Sequence, residues 1–472
     1  MMAALSILTT KFVAVGLSKE LAGHYNSAYG FLQMFGILAD FGLYAVAVRE
    51  VSRAASRAHV LGTVILLRVI ILFVSLSAGL LLAWIIPAWQ GTPLPIGITI
   101  SSLVPFFTLL AGIIRTTFQV HYRMHFVFIA EVLQRVISTG LIAVIILMGV
   151  RGSNDLRVYE FFLLAGGVGA AVLFVLSLFF SRRILIARFT WDRDTLLRIL
   201  KAAAPYGLAF LCTALYRQTD QTLIAWLRPE DFALQNAHYG FVLRMGDMAF
   251  LLPTFLLNSV LPILSEKTER GESTVKLLSV TLHTVLILGS ISLCFAFFWS
   301  RPLIELLTTK AYLATALSPG SDTALTMLSL PFFLNGIITF GFYVLLSRHA
   351  WRPLVSTLAC GALLSVALNI FLIPRYGFTG AALTSIVIHI LLATLLLYQS
   401  TRKAKIALSI KQVRQWMSFT ILLAAFLLPS ASLLDSSLKT ALGLGIATLW
   451  MGLIAWKTCL LSSWQKQAKM VE

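Results

Sequence analysis

The sequence predicts an all-α polytopic membrane protein, and three observations predict it. Of its 472 residues 58% are hydrophobic and only 12% charged, with a mean hydropathy of +0.89. Globular domains carry about twice that charged fraction, so this much apolar surface has no water-soluble core to hide in. The apolar residues fall in successive runs of about 20, the length that crosses a hydrocarbon core as helix. The Lys and Arg that make up the net charge of +18 sit mostly in short loops between those runs, which fixes orientation in a membrane. No basic domain stands apart, so nucleic acid is excluded as a partner.

Taken in order, the expected spans are Met1 to Leu17, Phe31 to Val48, Leu61 to Ile86, Ile96 to Val120, Phe126 to Val150 and Tyr159 to Phe180. After a polar connection come Ala202 to Leu227, Tyr239 to Leu264, Leu277 to Ser300, Asp322 to Leu346, Trp351 to Ile373 and Phe378 to Tyr398. Trp416 to Leu433 and Leu438 to Leu461 complete fourteen. The chain thus divides into an N-terminal lobe over 1–180, a connection over 181–201, a C-terminal lobe over 202–400, and two further helices with a tail over 401–472. Lys and Arg gather on the side holding Arg49, Arg182 and Lys403; that bias places this side, and both termini, in the cytoplasm. The connection, rich in Arg and amphipathic, is expected to lie on the inner leaflet, where anionic lipids attract it.

The lobes repeat one another. Tyr29-Gly30-Phe31 answers Tyr239-Gly240-Phe241, Pro105-Phe106-Phe107 answers Pro331-Phe332-Phe333, and Gly169-Ala170-Ala171 answers Gly380-Ala381-Ala382. Each lobe has an even number of spans, so equivalent helices run the same way and the pseudo-twofold axis lies along the membrane normal. Two lobes of six helices facing across a central cavity follow from this. The same offset makes the first span start several residues late against its counterpart, which favours a misplaced start codon over a natively short helix.

Charges inside spans carry the chemistry, because each costs about 2.5 kcal/mol or more at the bilayer centre. Lys11, Arg68, Arg115, Arg135, Arg217 and Arg244 stand against Asp40, Glu131, Asp220 and Asp247. Arg217 with Asp220, Arg244 with Asp247 and Glu131 with Arg135 are spaced to meet on one helix face, either as functional pairs or simply to neutralise one another. Arg68 is long enough to snorkel toward the cytoplasmic edge. The surplus of cations suits a ligand that brings negative charge, since Arg binds phosphate oxygens bidentately. Asp40, Asp220 and Asp247 are the candidate ion-coupling carboxylates, for a proton or sodium ion. No Walker-type loop, metal-ligand spacing or catalytic constellation is present; Cys212, Cys294, Cys360 and Cys459 read as small hydrophobes, and neither a cofactor nor an enzyme is expected. Trp84, Trp89, Trp226, Trp299 and Trp351 stand at span ends, where an interfacial belt is expected. Asn335, Asn369, His283 and His389 are polar points inside spans, suited to interhelical hydrogen bonds.

The segment Leu368 to Ser385, LNIFLIPRYGFTGAALTS, ends one helix at a Pro-x-Tyr-Gly turn, with the break expected at Pro374 and the turn running through Pro374 and Gly377, and opens the next on small residues. It resembles the bacterial flippases of lipid-linked oligosaccharides such as O-antigen, the polysaccharide-transport branch of the MOP exporter superfamily. APYGLAFLCTALYRQTDQTLIAWL from Ala204, with its Arg-x-x-Asp, and ILADFGLYAVAVREVSR from Ile37 resemble further helices of the same family. The resemblance implies undecaprenyl-pyrophosphate-linked oligosaccharide as substrate and alternating access in the bacterial inner membrane. It puts Lys11, Arg217 and Arg244 first at the head group, with Arg115 and Arg135 behind them and Asn335 near the sugar. Arg49 and Glu50 then form a cytoplasmic gate or are solvated loop charges. Two other transport or synthesis readings remain, a multidrug exporter of the related branch, whose cavity should be acidic, and a membrane-embedded polysaccharide polymerase. A membrane scaffold gives no reason for buried charges.

Overall fold

A computed structural model of the chain describes residues 2–40, 43, 57–121, 123–182, 184 and 192–458, with side chains for 5–36, 43, 60–119, 121, 123–182, 184 and 192–458. Among these residues the regular structure is helical throughout: α1 Met2–Gly16, α2 Lys19–Asp40, α3 Arg57–Ile85, α4 Leu94–Ser101, α5 Leu103–Val120, α6 Met124–Leu147, α7 Leu156–Ser181 and α8 Arg193–Leu227. There follow α9 Phe232–Glu269, α10 Val275–Phe298, α11 Ser300–Leu307, α12 Ser321–Ser347, α13 Trp351–Tyr376, α14 Phe378–Lys403, α15 Ile410–Ser430 and α16 Ser437–Lys457. Twelve stretches among the described residues are long and apolar enough to cross a membrane. The first expected span is the shorter apolar helix α1, and the second falls partly outside the described residues. Leu81, Phe128, Val144, Phe161, Leu252, Phe255 and Leu363 are all exposed on these helices. Such a surface has no place in water and fits lipid.

Helix ends follow local chemistry. Asp155, Asp192 and Ser436 accept from backbone N–H groups at the starts of α7, α8 and α16, satisfying donors that have no partner within the helix. The Asp192 cap makes Arg193 to Lys201, read from the sequence as part of the connection, the first turns of the 35-residue α8. The expected fourth span is two helices meeting at Ser102. Pro105 has no N–H for the Ser101 carbonyl and its ring crowds that carbonyl, which breaks the helix there. By contrast Pro205, Pro253 and Pro331 are carried inside continuous helices.

The chain packs as two compact units, one of Met1–Gly240 with Asn369–Gly377, the other of Phe241–Leu368 with Phe378–Glu472. In the first unit α2 packs on α8, α3 and α4, while α7 packs on α5 and α6. Leu43, Val60, Val64, Leu67, Ile199 and Ala203 form one of its apolar clusters. In the second, α12 is sandwiched by α10 and α14, and α15 lies against α10 and α16. Ala381 and Ala382 are fully buried at the start of α14, as the small residues there require.

Two expectations need correction. Trp89 and Trp299 are not interfacial but have no exposed surface. Each indole Nε1 donates to a carbonyl inside the protein, Trp89 to Ala225 at 2.8 Å and Trp299 to Leu427 at 3.0 Å. A buried ring with its one donor satisfied is stable without the interface; Trp84 and Trp226 are half exposed, as an interfacial residue should be. Of the two residues expected to make the turn after the eleventh span, Gly377 makes it and Pro374 does not. Pro374 stays inside α13, and the chain reverses at Gly377, whose φ is +59° and whose N–H donates to the Ile373 carbonyl at 2.8 Å. Gly is favoured there twice over, because a Cβ would also strike the Gln235 side-chain oxygen. Gly377→Ala is therefore expected to lower the thermal midpoint in detergent; an unchanged midpoint contradicts this account of the turn.

Candidate functional site

The first unit holds a buried polar crossing where the start of α9 meets α2 and the end of α8. Gly23 lets α2 lie directly on α9, since a Cβ there would run into the Ala233 carbonyl. One turn on, Asn26 Nδ2 donates to the Asn236 carbonyl at 3.2 Å, a pair 210 residues apart. Asn236 Nδ2 in turn donates to Ser27 Oγ at 2.8 Å and to the Gln221 carbonyl at 2.9 Å. The Gln221 side chain then fills the space that Gly30 and Gly240 leave open, its Oε1 against the former and its Nε2 against the latter. The helices meet through residues of equal offset, Gly23 with Ala233 and Asn26 with Asn236, while Gly30 and Gly240, at the same offset, both face the Gln221 side chain. The Tyr-Gly-Phe repeat in the sequence is part of this contact. Small residues admit the close approach, and the asparagines supply the polar contacts within it.

One helical turn away Asp220 is 3% exposed. Tyr239 Oη donates to its Oδ2 and Asn369 Nδ2, from α13, donates to its Oδ1, both at 2.8 Å. Tyr239 and Asn369 have no exposed surface. The i, i+3 spacing pointed to Arg217 as the partner; instead the carboxylate is held by these two neutral donors from other helices. Two neutral bonds restore only part of the hydration that a buried carboxylate loses. The Oδ1 of Asn369 beside it, and those of Asn26 and Asn236 in the crossing, are buried and have no hydrogen-bond partner among the described residues. The arrangement offers oxygen acceptors and one carboxylate, which suits a proton or a small cation. Among the described residues no group of three or more His, Cys, Asp or Glu forms a transition-metal site.

The turn between α8 and α9 fastens this corner. Arg228 grips Asp231 with two bonds, Nε to Oδ1 at 2.7 Å and Nη2 to Oδ2 at 2.8 Å, and Asp231 also accepts from Gln235. The Arg228 Nη1 reaches the Pro374 carbonyl at 3.4 Å, so the last turn of α13 is tied to the same corner. The carboxylate beside it raises the Arg228 guanidinium above its ordinary value.

The other predicted residues are distributed more widely. Glu131 does not pair with Arg135 four residues on. It accepts from Arg115 Nη1 of α5 at 3.1 Å, while Arg135 Nη1 donates to Ser6 Oγ of α1 at 3.0 Å. Both side chains reach across to neighbouring helices, and Thr9 with Thr139 adds a further bond between α1 and α6. Arg68 does not snorkel to an edge: it is 4% exposed and donates to the Gly112 carbonyl at 3.1 Å. Lys11 and Arg217 are half-buried on α1 and α8, and Arg244 and Asp247 half-buried on α9. Asn335 is buried in α12. The side chain of Asp40, and Arg49 and Glu50 altogether, lie outside the described residues. His389 bonds back to the Ser385 carbonyl of its own helix at 2.7 Å, so of the polar points in spans Asn369 makes the interhelical bond most plainly.

The sequence profile of the family described as polysaccharide biosynthesis protein matches residues 2–267. The chain belongs to that family. No curated protein relative matches it in sequence. Among solved structures this polysaccharide biosynthesis protein is similar to the lipid II flippase MurJ in an inward closed conformation, with a TM-score of 0.71 and 16% identity over 96% of each chain. It is also similar to an inward-facing multidrug resistance MATE family transporter of the MOP superfamily, with a TM-score of 0.65 and 12% identity, covering 85% of this chain and 94% of that one. A MATE in complex with MaD3S gives a TM-score of 0.56 at 14% identity, with 85% of this chain and 93% of that one covered. At such identities the likeness is one of fold. The family member is thus a multi-pass membrane protein with the fold of MOP-superfamily flippases and transporters.

Proposed function

We propose that this protein moves undecaprenyl-pyrophosphate-linked oligosaccharide from the cytoplasmic to the outer leaflet of the bacterial inner membrane, with both termini in the cytoplasm. The observation that carries the reading is the match to the polysaccharide biosynthesis family in a chain that folds like a lipid II flippase along 96% of its length. Polysaccharide assembly needs its sugar units carried across the membrane on a lipid, and a flippase fold is the means. The reading assigns the pyrophosphate to a cationic cavity with Lys11, Arg217 and Arg244, backed by Arg115 and Arg135, and assigns Asn335 to the sugar. Arg suits this task because its planar fork meets two phosphate oxygens at once. Opening and closing by alternating access then moves the head group while the lipid tail stays in the bilayer.

Asp220 is assigned as the principal coupling carboxylate, with Asp40 and Asp247 as further candidates for the proton or sodium ion. Support comes from its burial, its neutral donors and the unpartnered Asn369 oxygen beside it. The polar crossing of α2 and α9 supports a further part of the reading. In the orientation read from the loop charges it lies at the outer ends of these helices, where its bonds would keep the outer side closed.

The test is translocation of a fluorescent undecaprenyl-pyrophosphate oligosaccharide in proteoliposomes, comparing the wild type with Arg217→Ala and Arg244→Ala at matched insertion. Both variants are expected to lose at least about tenfold in rate, the scale of one lost charge-assisted phosphate contact. Undiminished rates in both variants would remove these residues from the head-group site.

A further inference from the structure

A second basic feature lies in the second unit, which also holds Arg244, Asp247 and Asn335, and is built from residues with no assigned part in transport. The N-terminal turns of α10 and α15 enclose an open cavity of about 270 Å³ lined by Lys276, Ser279, Ser409, Lys411, Gln412 and Gln415. Gln412 is fixed within it by three donors to its Oε1: Ser279 Oγ at 2.8 Å, Ser409 N at 2.9 Å and Ser409 Oγ at 3.0 Å. Its acceptor oxygen is fully used. Its Nε2 donors make no bond among the described residues, and Lys411 has no ion pair among them. Among the described residues no carboxylate lines the cavity, and the sequence has no acidic residue from Phe378 to Leu434 while it carries Arg402, Lys403, Lys405, Lys411 and Arg414. The helix start adds N–H groups that lack an intrahelical partner, together with the positive end of the helix dipole.

Deeper on the same face of α10, one turn past Ser279 and Val280, comes His283. It is 1% exposed, its Nε2 is buried without a partner among the described residues, and it does not itself line the cavity. The donors the cavity offers are therefore the lysines and the Gln412 Nε2, since those of Ser279 and Ser409 are spent on Gln412 and that of Gln415 on the Thr458 carbonyl. Such a lining selects an oxyanion with several acceptor oxygens. Both helices begin on the face that carries Arg402 and Lys403, at the level where a span meets the head groups.

We propose that this cavity seats the phosphate head group of an anionic membrane lipid. The ligand chemistry is a phosphate ester; the source is a bilayer lipid rather than free phosphate, because the cavity opens beside the ends of two membrane helices and within a polybasic segment of the kind that anionic leaflets attract. The assignment stands independently of the transported substrate, since neither Lys276 nor Lys411 belongs to the head-group residues named above.

The test uses the purified full-length chain in detergent, with phosphatidylglycerol, phosphatidylcholine or inorganic phosphate added. Bound lipid is read by native mass spectrometry, and stability by the thermal midpoint. Phosphatidylglycerol is expected to stay bound and to raise the midpoint, whereas phosphatidylcholine and inorganic phosphate are not. The Lys276→Gln, Lys411→Gln double variant should weaken retention about 30-fold, the effect of two lysines at an anionic surface. Arg402→Gln with Lys403→Gln, which removes the same charge outside the cavity, should change retention far less. Equal retention of the two lipids, or equal loss in both double variants, would reduce the site to a diffuse basic surface and overturn the proposal. A midpoint raised as much by inorganic phosphate as by phosphatidylglycerol would overturn the lipid as its source.

Discussion

Asp220→Asn is expected to leave the protein folded and inserted but to abolish acceleration of translocation by an imposed proton or sodium gradient. The substitution keeps the size of the side chain and one oxygen to accept from Tyr239 or Asn369, so the packing of α8 against α13 survives. It removes the charge that a coupling ion would meet. The gradient-driven component should fall by about 10- to 100-fold, the range in which coupling between two sites is usually lost. Asp220→Ala is a harsher change. It strands Tyr239 Oη and Asn369 Nδ2, both now bonded to the carboxylate, and each buried donor left without an acceptor costs about 1–3 kcal/mol. That variant should lose thermal stability as well as transport. A gradient response in Asp220→Asn equal to that of the wild type would move the coupling role to Asp40 or Asp247.

The second large effect concerns the crossing of α2 with α9. Gly23→Ala should destabilise the protein more than any other single methyl added to α2, because its Cβ would overlap the Ala233 backbone carbonyl, which cannot move without moving the helix. Overpacking of this kind costs about 1–3 kcal/mol and often more. Gly30→Ala should cost less, since the atom it meets belongs to the Gln221 side chain, although shifting that chain also disturbs its place against Gly240. Gly36→Ala is the internal control: nothing among the described residues lies within 4 Å of its Cβ, and Ala is the better helix former. Thermal midpoints in detergent should therefore rank Gly36→Ala at or above wild type, then Gly30→Ala, then Gly23→Ala. The reverse ranking would mean that the two helices do not meet as described.

Much of the fold was legible because lipid imposes a simple rule. A helix must satisfy its own backbone and present about 20 apolar residues, so the starts at Trp351 and Phe378 could be read to the residue and most other span ends to within a few. The misreadings have local causes. Pro374 was a plausible break, but the helix carries it to Tyr376, and Gly377 tolerates the positive φ at the reversal. Pro105 was visible yet its effect on the fourth span was not, because Pro205 and Pro331, in similar apolar settings, sit inside unbroken helices. Trp89 and Trp299 occupy span ends in the sequence and the interior in space, a difference set by which carbonyl each indole reaches.

The candidate site was legible in its parts but not in its assembly. Asp220 and Asn369 each stood out as polar residues in an apolar run, yet 149 residues separate them. Spacing along one helix favoured the Arg217 and Arg135 pairings, whereas long side chains buried in a bundle bond to whatever the neighbouring helix presents. Asn26 and Asn236 escaped notice although a signal existed: each stands three residues before a Tyr-Gly-Phe, at the same offset as the repeat. The repeat was evident; the contact that uses it required the packing of α2 on α9.

The central claim is that the chain carries a lipid-linked pyrophosphate sugar rather than a soluble cation. The most direct measurement offers wild-type proteoliposomes a fluorescent undecaprenyl-pyrophosphate oligosaccharide and, separately, a fluorescent organic cation, and follows movement of each across the bilayer. The account predicts rapid exchange of the lipid between leaflets and no transport of the cation above protein-free vesicles. Export of the cation with the lipid left in its original leaflet would contradict it and place this protein, within the same fold, among the drug exporters.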